Sequence, residues 1–133
     1  MRVVLDTNVF LSGIHWAGAS SKVLKAWFLG KFTLISSQEI NQELFSQFRD
    51  FKIRMGAEEI HFWESLILEK TVLAIPKTKV NAVKDDPDDN KFIEAALNGK
   101  ADCIVSQDNH LLKIKEFKGI RIITPEEFIT IFE

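Results

Sequence analysis

Apolar positions along this chain follow two alternating rhythms, short β-branched runs and longer stretches repeating near 3.6 residues, which predict strand and helix in turn. Residues 2–5 form the first apolar run and read as a buried strand. Thr7 to Gly18, with Gly13 and Gly18 inside it, reads as a loop holding at most a short helical turn. Ser20 or Ser21 then caps a helix whose apolar positions Val23, Leu24, Trp27 and Phe28 share a face, with Gly30 as its stop. Phe32–Ile35 makes a second strand. Ser36-Ser37-Gln38-Glu39 spells a capping box ahead of a helix with Ile40, Leu44, Phe45 and Phe48 on one side.

The pattern breaks at Gly56 and resumes from Ala57 to Glu69 as a periodic helix carrying Ile60, Trp63 and Ile67. Val72–Ile75, closed by Pro76, is a strand. A polar stretch from Lys77 to Lys84 leads into an acidic cluster, and a helix runs from Pro87 to Asn98, ended by Gly99. Cys103–Val105 is a strand, His110–Lys115 a short helix and Ile120–Ile123 the last strand. Thr124-Pro125-Glu126-Glu127 joins a capping box to a proline at the first helical position and opens a terminal helix. The alternation predicts an α/β fold with a parallel sheet and helices on both faces, in one domain over residues 1–133, with no linker or repeat. Strand order does not follow from this pattern.

Composition agrees and narrows the class. With 46% hydrophobic and 27% charged residues the chain is globular rather than disordered. No apolar run approaches the roughly 18 residues a membrane span requires, and the N-terminus lacks the apolar centre of a signal peptide, so the expectation is a cytoplasmic protein. The single Cys103 lies within a strand pattern and reads as a buried inert thiol. A net charge of −2 argues against gripping nucleic acid through overall basicity. That objection weakens where the acids are gathered around bound cations, which invert the local field.

Four acids carry the candidate chemistry: Asp6, Glu43, Asp89 and Asp108, each at a strand end or near a helix start. In an open α/β sheet such positions converge on the carboxyl edge, where ligands bind. Carboxylates gathered there repel one another unless a divalent cation holds them, and oxygen donors without Cys or clustered His point to Mg²⁺ or Mn²⁺. Position alone leaves each acid a second role. Asp6 suits a turn or a cap, with Thr7 and Asn8 beside it able to orient a carboxylate or to satisfy the loop backbone. Glu39 serves the capping box, whereas Glu43, one turn on, lies at the edge of the buried stripe and is equally placed to be solvated.

Within the acidic cluster, Asp86 before Pro87 reads as the helix cap, and Asp88 pairs with Lys91. Asp89 heads the apolar row Phe92, Ile93, Ala96 and Leu97, where an unpaired charge is costly, and this makes it the candidate ligand. Glu94 is expected to pair with Asn98 or Lys91, and Asp102 falls at the opposite edge of the sheet. His15, His61 and His110 lack ligand spacing, though His110 is near enough to Asp108 to touch substrate. Phosphate loops, serine elbows and zinc-binding helices are missing. A phosphate-accepting receiver domain would need an acid where Ser36 stands and a lysine where Thr124 stands, and a two-aspartate phosphatase an acid in place of Asn8.

Taken in order, Val4-Leu5-Asp6-Thr7-Asn8-Val9, Ser36 to Leu44, Asp85 to Ala96 and Ala101 to Leu112 resemble the PIN-domain nucleases, particularly the VapC-like toxins of prokaryotic toxin–antitoxin systems. The resemblance covers nearly the whole chain. It implies a Rossmann-like, mostly parallel sheet flanked by helices, and an acidic pocket holding Mg²⁺ or Mn²⁺ that cleaves single-stranded RNA. It further implies a homodimer and a partner antitoxin that holds the toxin inactive. Position by position, Asp6, Glu43, Asp89 and Asp108 match the family's catalytic and metal-binding acids, and Thr7, Asn8 and Ser106 the polar positions beside them. Among Asp85, Asp86, Asp88 and Asp89 the match stays open. The alternative is the same scaffold kept as an RNA- or partner-binding module, which would not need the full set of acids.

Overall fold

The computed structural model describes residues 1–132. Its elements, in chain order, begin with β1 (Arg2–Leu5), α1 (Thr7–His15), α2 (Ala19–Phe28), β2 (Thr33–Ser36), α3 (Gln38–Phe48), α4 (Ala57–Lys70) and β3 (Thr71–Leu73). A 3₁₀ turn (Pro87–Asp89) leads into α5 (Asn90–Asn98), followed by β4 (Cys103–Val105), α6 (Asn109–Leu112), β5 (Glu116–Phe117), β6 (Ile120–Ile123) and α7 (Pro125–Ile129). Among the described residues the sheet has six strands in the order β3-β2-β1-β4-β6-β5. Every pairing is parallel except that of β5 with β6. The expected mostly parallel α/β sheet is therefore present.

Register splits the apolar side chains between two cores. Val3, Leu5, Leu34, Cys103 and Val105 face one side, packed with Trp27 and Phe10 from α2 and α1 and with Phe128 from α7. Val4, Ile35 and Ile104 face the other, against Phe92, Ile93 and Ala96 of α5. Alternate residues of one strand thus enter opposite cores, which is why buried parallel strands read as unbroken apolar runs. No helix among the described residues is long and apolar enough to cross a membrane.

Several local expectations change. Thr7–Gly18 is not a loop: the Asp6 carboxylate accepts the Asn8 N–H and opens α1, which buries Val9 and Phe10. Gly13 does not break that helix. A Cβ there would lie 2.7 Å from Leu24 Cδ1 and 2.8 Å from the Ser20 carbonyl oxygen, so glycine is what lets α1 and α2 approach. Helix α2 starts at Gly18 without a side-chain cap, and Ser20 is buried inside it, its hydroxyl accepting from Gln107 Nε2 at 3.3 Å. Ser37 rather than Ser36 caps α3, accepting from the Ile40 N–H at 3.2 Å, while Ser36 donates to Asn41 Oδ1 at 2.6 Å. The capping box at Thr124 and Glu127 forms as expected.

Strand β3 ends earlier than expected, at Leu73. Helix α6 stops at Leu112 and frees the following residues for β5, a strand the pattern did not show. The β5–β6 turn holds Lys118 at φ 49° and Gly119 at φ 86°. Two positive φ values suit a tight hairpin, and Lys-Gly lacks the Asn-Gly or Asp-Gly signal that announces one.

Candidate metal centre at the carboxyl edge of the sheet

From β1 the chain runs outward through β2 to β3, then returns across the sheet to β4 on the other flank of β1. The reversal leaves a crevice between the carboxyl ends of β1 and β4, the usual ligand position in such sheets. Asp6 leaves β1 there and Ser106 leaves β4. The Asp6 N–H continues the ladder to the Val105 carbonyl at 3.0 Å, and the Ser106 N–H donates to the Ile123 carbonyl at 2.9 Å.

Side chains then tie the two segments together. Ser106, fully buried, donates its hydroxyl to Asp6 Oδ2 at 2.7 Å and accepts the Asp108 N–H at 2.9 Å. Asp108 Oδ1 accepts the His110 N–H at 2.8 Å and so caps α6. The 3₁₀ turn before α5 brings in the acidic cluster. Carboxylate oxygens of Asp86, Asp89 and Asp108 all lie within 4.8 Å of one another.

The electrostatics of this group are adverse without a cation. Burial pushes the Asp89 carboxyl up to about 8, helped by its hydrogen bond with Asp108 and by the negative charge of Asp108, Asp86 and Asp6. Asp6 is also raised, chiefly by burial, against the opposing hydrogen bonds from Ser106 and the Asn8 N–H, with Asp108 and Glu43 adding repulsion. Asp89 Oδ2 is buried and finds no hydrogen-bond partner among the described residues. A carboxylate with one oxygen buried and unpartnered, grouped with two further carboxylates and with oxygen donors alone, fits a hard divalent cation.

Glu43 stands apart from that group of three. Thr7 Oγ1 donates to Glu43 Oε2, and Lys91 Nζ lies 2.8 Å from Glu43 Oε1. The Lys91 side chain is 11% exposed and largely withdrawn from solvent, whereas Glu43, at 35%, keeps contact with it. Asn8 enters the site through its backbone N–H, and its side chain is exposed.

Some side chains take partners other than those expected. Asp86 makes no cap hydrogen bond and joins the carboxylate group instead. Lys91 takes Glu43 as its acid and reaches Asp88 only through the backbone carbonyl, at 3.0 Å. The Glu94 carboxylate accepts the Val80 N–H at 2.9 Å, and Asn98 bonds the Glu94 backbone carbonyl rather than its side chain. Asp102 sits at the far edge, accepting from the Arg2 N–H at 2.8 Å. Cys103 is buried, and burial pushes its thiol up to about 12, where it is inert. His110 stays half-exposed on the rim, with Nδ1 3.8 Å from Asp85 Oδ2. Sequence reasoning missed the place of Lys91 beside the acids, because its partner comes from a helix distant in sequence.

Comparison with known proteins agrees with this geometry. Residues 2–110 match the PIN domain family. The chain is also similar to the uncharacterized protein MJ1680 of Methanocaldococcus jannaschii, 33% identical over 145 residues that span 100% of this chain and 92% of that protein.

Proposed function

Because the chain belongs to the PIN-domain family, we propose that it is a Mg²⁺- or Mn²⁺-dependent endoribonuclease that hydrolyses phosphodiester bonds in single-stranded RNA. The observation that carries this reading is the clustering of Asp86, Asp89 and Asp108 beside Asp6, with Asp89 Oδ2 buried and unpaired. Asp6, Asp89 and Asp108, with Asp86, would hold the cation, which when bound stabilises charge on the phosphate and makes water more acidic.

The protein's own groups do the rest. Ser106 and the Asn8 N–H fix the Asp6 carboxylate, and Thr7 fixes Glu43. A carboxylate of this cluster would orient the attacking water or take its proton. Lys91 neutralises Glu43 and keeps the acidic edge from repelling the RNA backbone as strongly as its charge count implies.

In biological terms this reading makes the chain the VapC-like toxin of a cytoplasmic toxin–antitoxin pair, active as a homodimer and silenced by its antitoxin. An apolar groove of about 250 Å³ between α1, α2 and α4, lined by Leu24, Phe28, Phe62 and Trp63, supports a protein partner on that face. The test is cleavage of end-labelled single-stranded RNA with Mn²⁺, Mg²⁺ or chelator, comparing wild type with Asp6→Asn. Metal-dependent cleavage, lost in a folded Asp6→Asn protein, is the expected result. Equal cleavage by the variant would remove Asp6 from the site, and no cleavage by either would leave the binding-module alternative.

A further inference from the structure

A second cavity opens on the same carboxyl edge, displaced from the acids toward β2 and β3. It measures about 300 Å³ and lies between α3 and α5, with Ala74, Pro76 and Ala95 as an apolar floor. Its outer wall is the segment after β3, pinned to α5 by paired hydrogen bonds between Asn98 and the Thr78 backbone, at 3.1 and 3.2 Å, and by the Val80 N–H on Glu94 at 2.9 Å. Gln38, Glu39 and Gln42 of α3 supply its polar side. Neither glutamine amide has a side-chain hydrogen bond among the described residues, and Glu39 is held only by the exposed Lys79 at 3.5 Å.

Lys91 lines this cavity and also pairs with Glu43, whose other oxygen is bound by Thr7, the neighbour of Asp6. The Lys91–Glu43 salt bridge and the Thr7 hydroxyl therefore link the cavity to Asp6. We propose that the cavity between α3 and α5 is a nucleobase subsite that receives guanine from the nucleotide flanking the cleaved bond. The proposal rests on reading the acidic group as a single-strand phosphodiesterase site.

The chemistry favours that base. A cavity of this size sits at the small end of ligand sites and suits one base on an apolar floor. Single-stranded RNA is read through the Watson–Crick edges of unstacked bases. Guanine presents two adjacent N–H donors that a carboxylate accepts together, leaving its carbonyl for an amide such as Gln42. Uracil sets its single N–H between two carbonyls, which a carboxylate repels.

The test is an NMR titration of the whole protein, in chelator, with guanosine and uridine 5′-monophosphate. Saturable shifts from guanosine monophosphate should be confined to the amides of residues 38–43, 74, 75, 77 and 91–98. Uridine monophosphate should bind about tenfold more weakly, the worth of one charge-assisted hydrogen bond. The double variant Glu39→Gln, Gln42→Ala should keep its folded spectrum and lose the discrimination. Equal binding of the two nucleotides, shifts elsewhere in the protein, or discrimination that survives in the variant would overturn the proposal. The titration needs no turnover. A protein that discriminates but does not cleave keeps the subsite and loses the nuclease reading, and one that cleaves without discriminating does the reverse.

Discussion

Asp89 is held in a state its own charge opposes. Its carboxyl is raised from 3.8 to about 8, so between those values the folded protein binds more protons than the unfolded chain. By linkage, this residue's contribution to stability falls as pH rises through that window, and the raised Asp6 acts in the same direction. In chelator, Asp89→Asn should melt above wild type at pH 8 and close to it at pH 5. Solvent near the rim screens part of the repulsion, so the gain should be on the order of 1 kcal/mol, a few degrees in Tm. A variant melting below wild type at pH 8 would remove the repulsion from the account. Ser106 acts through another residue, by aiming Asp6. Ser106→Ala should therefore lower metal affinity or cleavage by about 10- to 100-fold, read as a shift in the Mn²⁺ titration of activity. Of the acids, Asp6 and Asp108 were legible because a carboxylate just past an apolar strand has few places to go. Asp86 was not, since Asp before Pro is also cap chemistry, and the tight 3₁₀ turn that frees its carboxylate is not spelled in the sequence.

At the scale of elements, long apolar rhythms were legible and short exceptions were not. Helix α4 and the capped α7 stand where their patterns place them. Helix α1 was hidden because Gly13 reads as a breaker, whereas tertiary packing against α2 decides its role. Gly13→Ala should cost about 1–3 kcal/mol, measured by urea unfolding, because the obstruction includes the fixed Ser20 carbonyl and not only the Leu24 side chain. A neutral Gly13→Ala would show that α1 and α2 can separate freely. The two-residue β5 was hidden for the opposite reason, since no apolar period can be read from so few positions.

For the whole molecule, a cation that binds the folded acids and not the unfolded chain stabilises by mass action, about 2.7 kcal/mol at a hundredfold excess over Kd. Mn²⁺ should raise the Tm of wild type, chelator should reverse the rise, and Asp6→Asn should show a smaller one. An equal rise in the variant would place the binding elsewhere. The bond from Ser106 to Asp6 carries a different consequence, because it spans 100 positions of the sequence. Asp6 is translated 100 residues ahead of the hydroxyl that orients it, and the Asp108 carboxylate follows that hydroxyl. A nascent polypeptide thus lacks an assembled acidic group until residues 106–108 are made, and on the nuclease reading a product truncated after Asn98 would not cleave RNA. Synthesis itself sets the moment at which these carboxylates can gather.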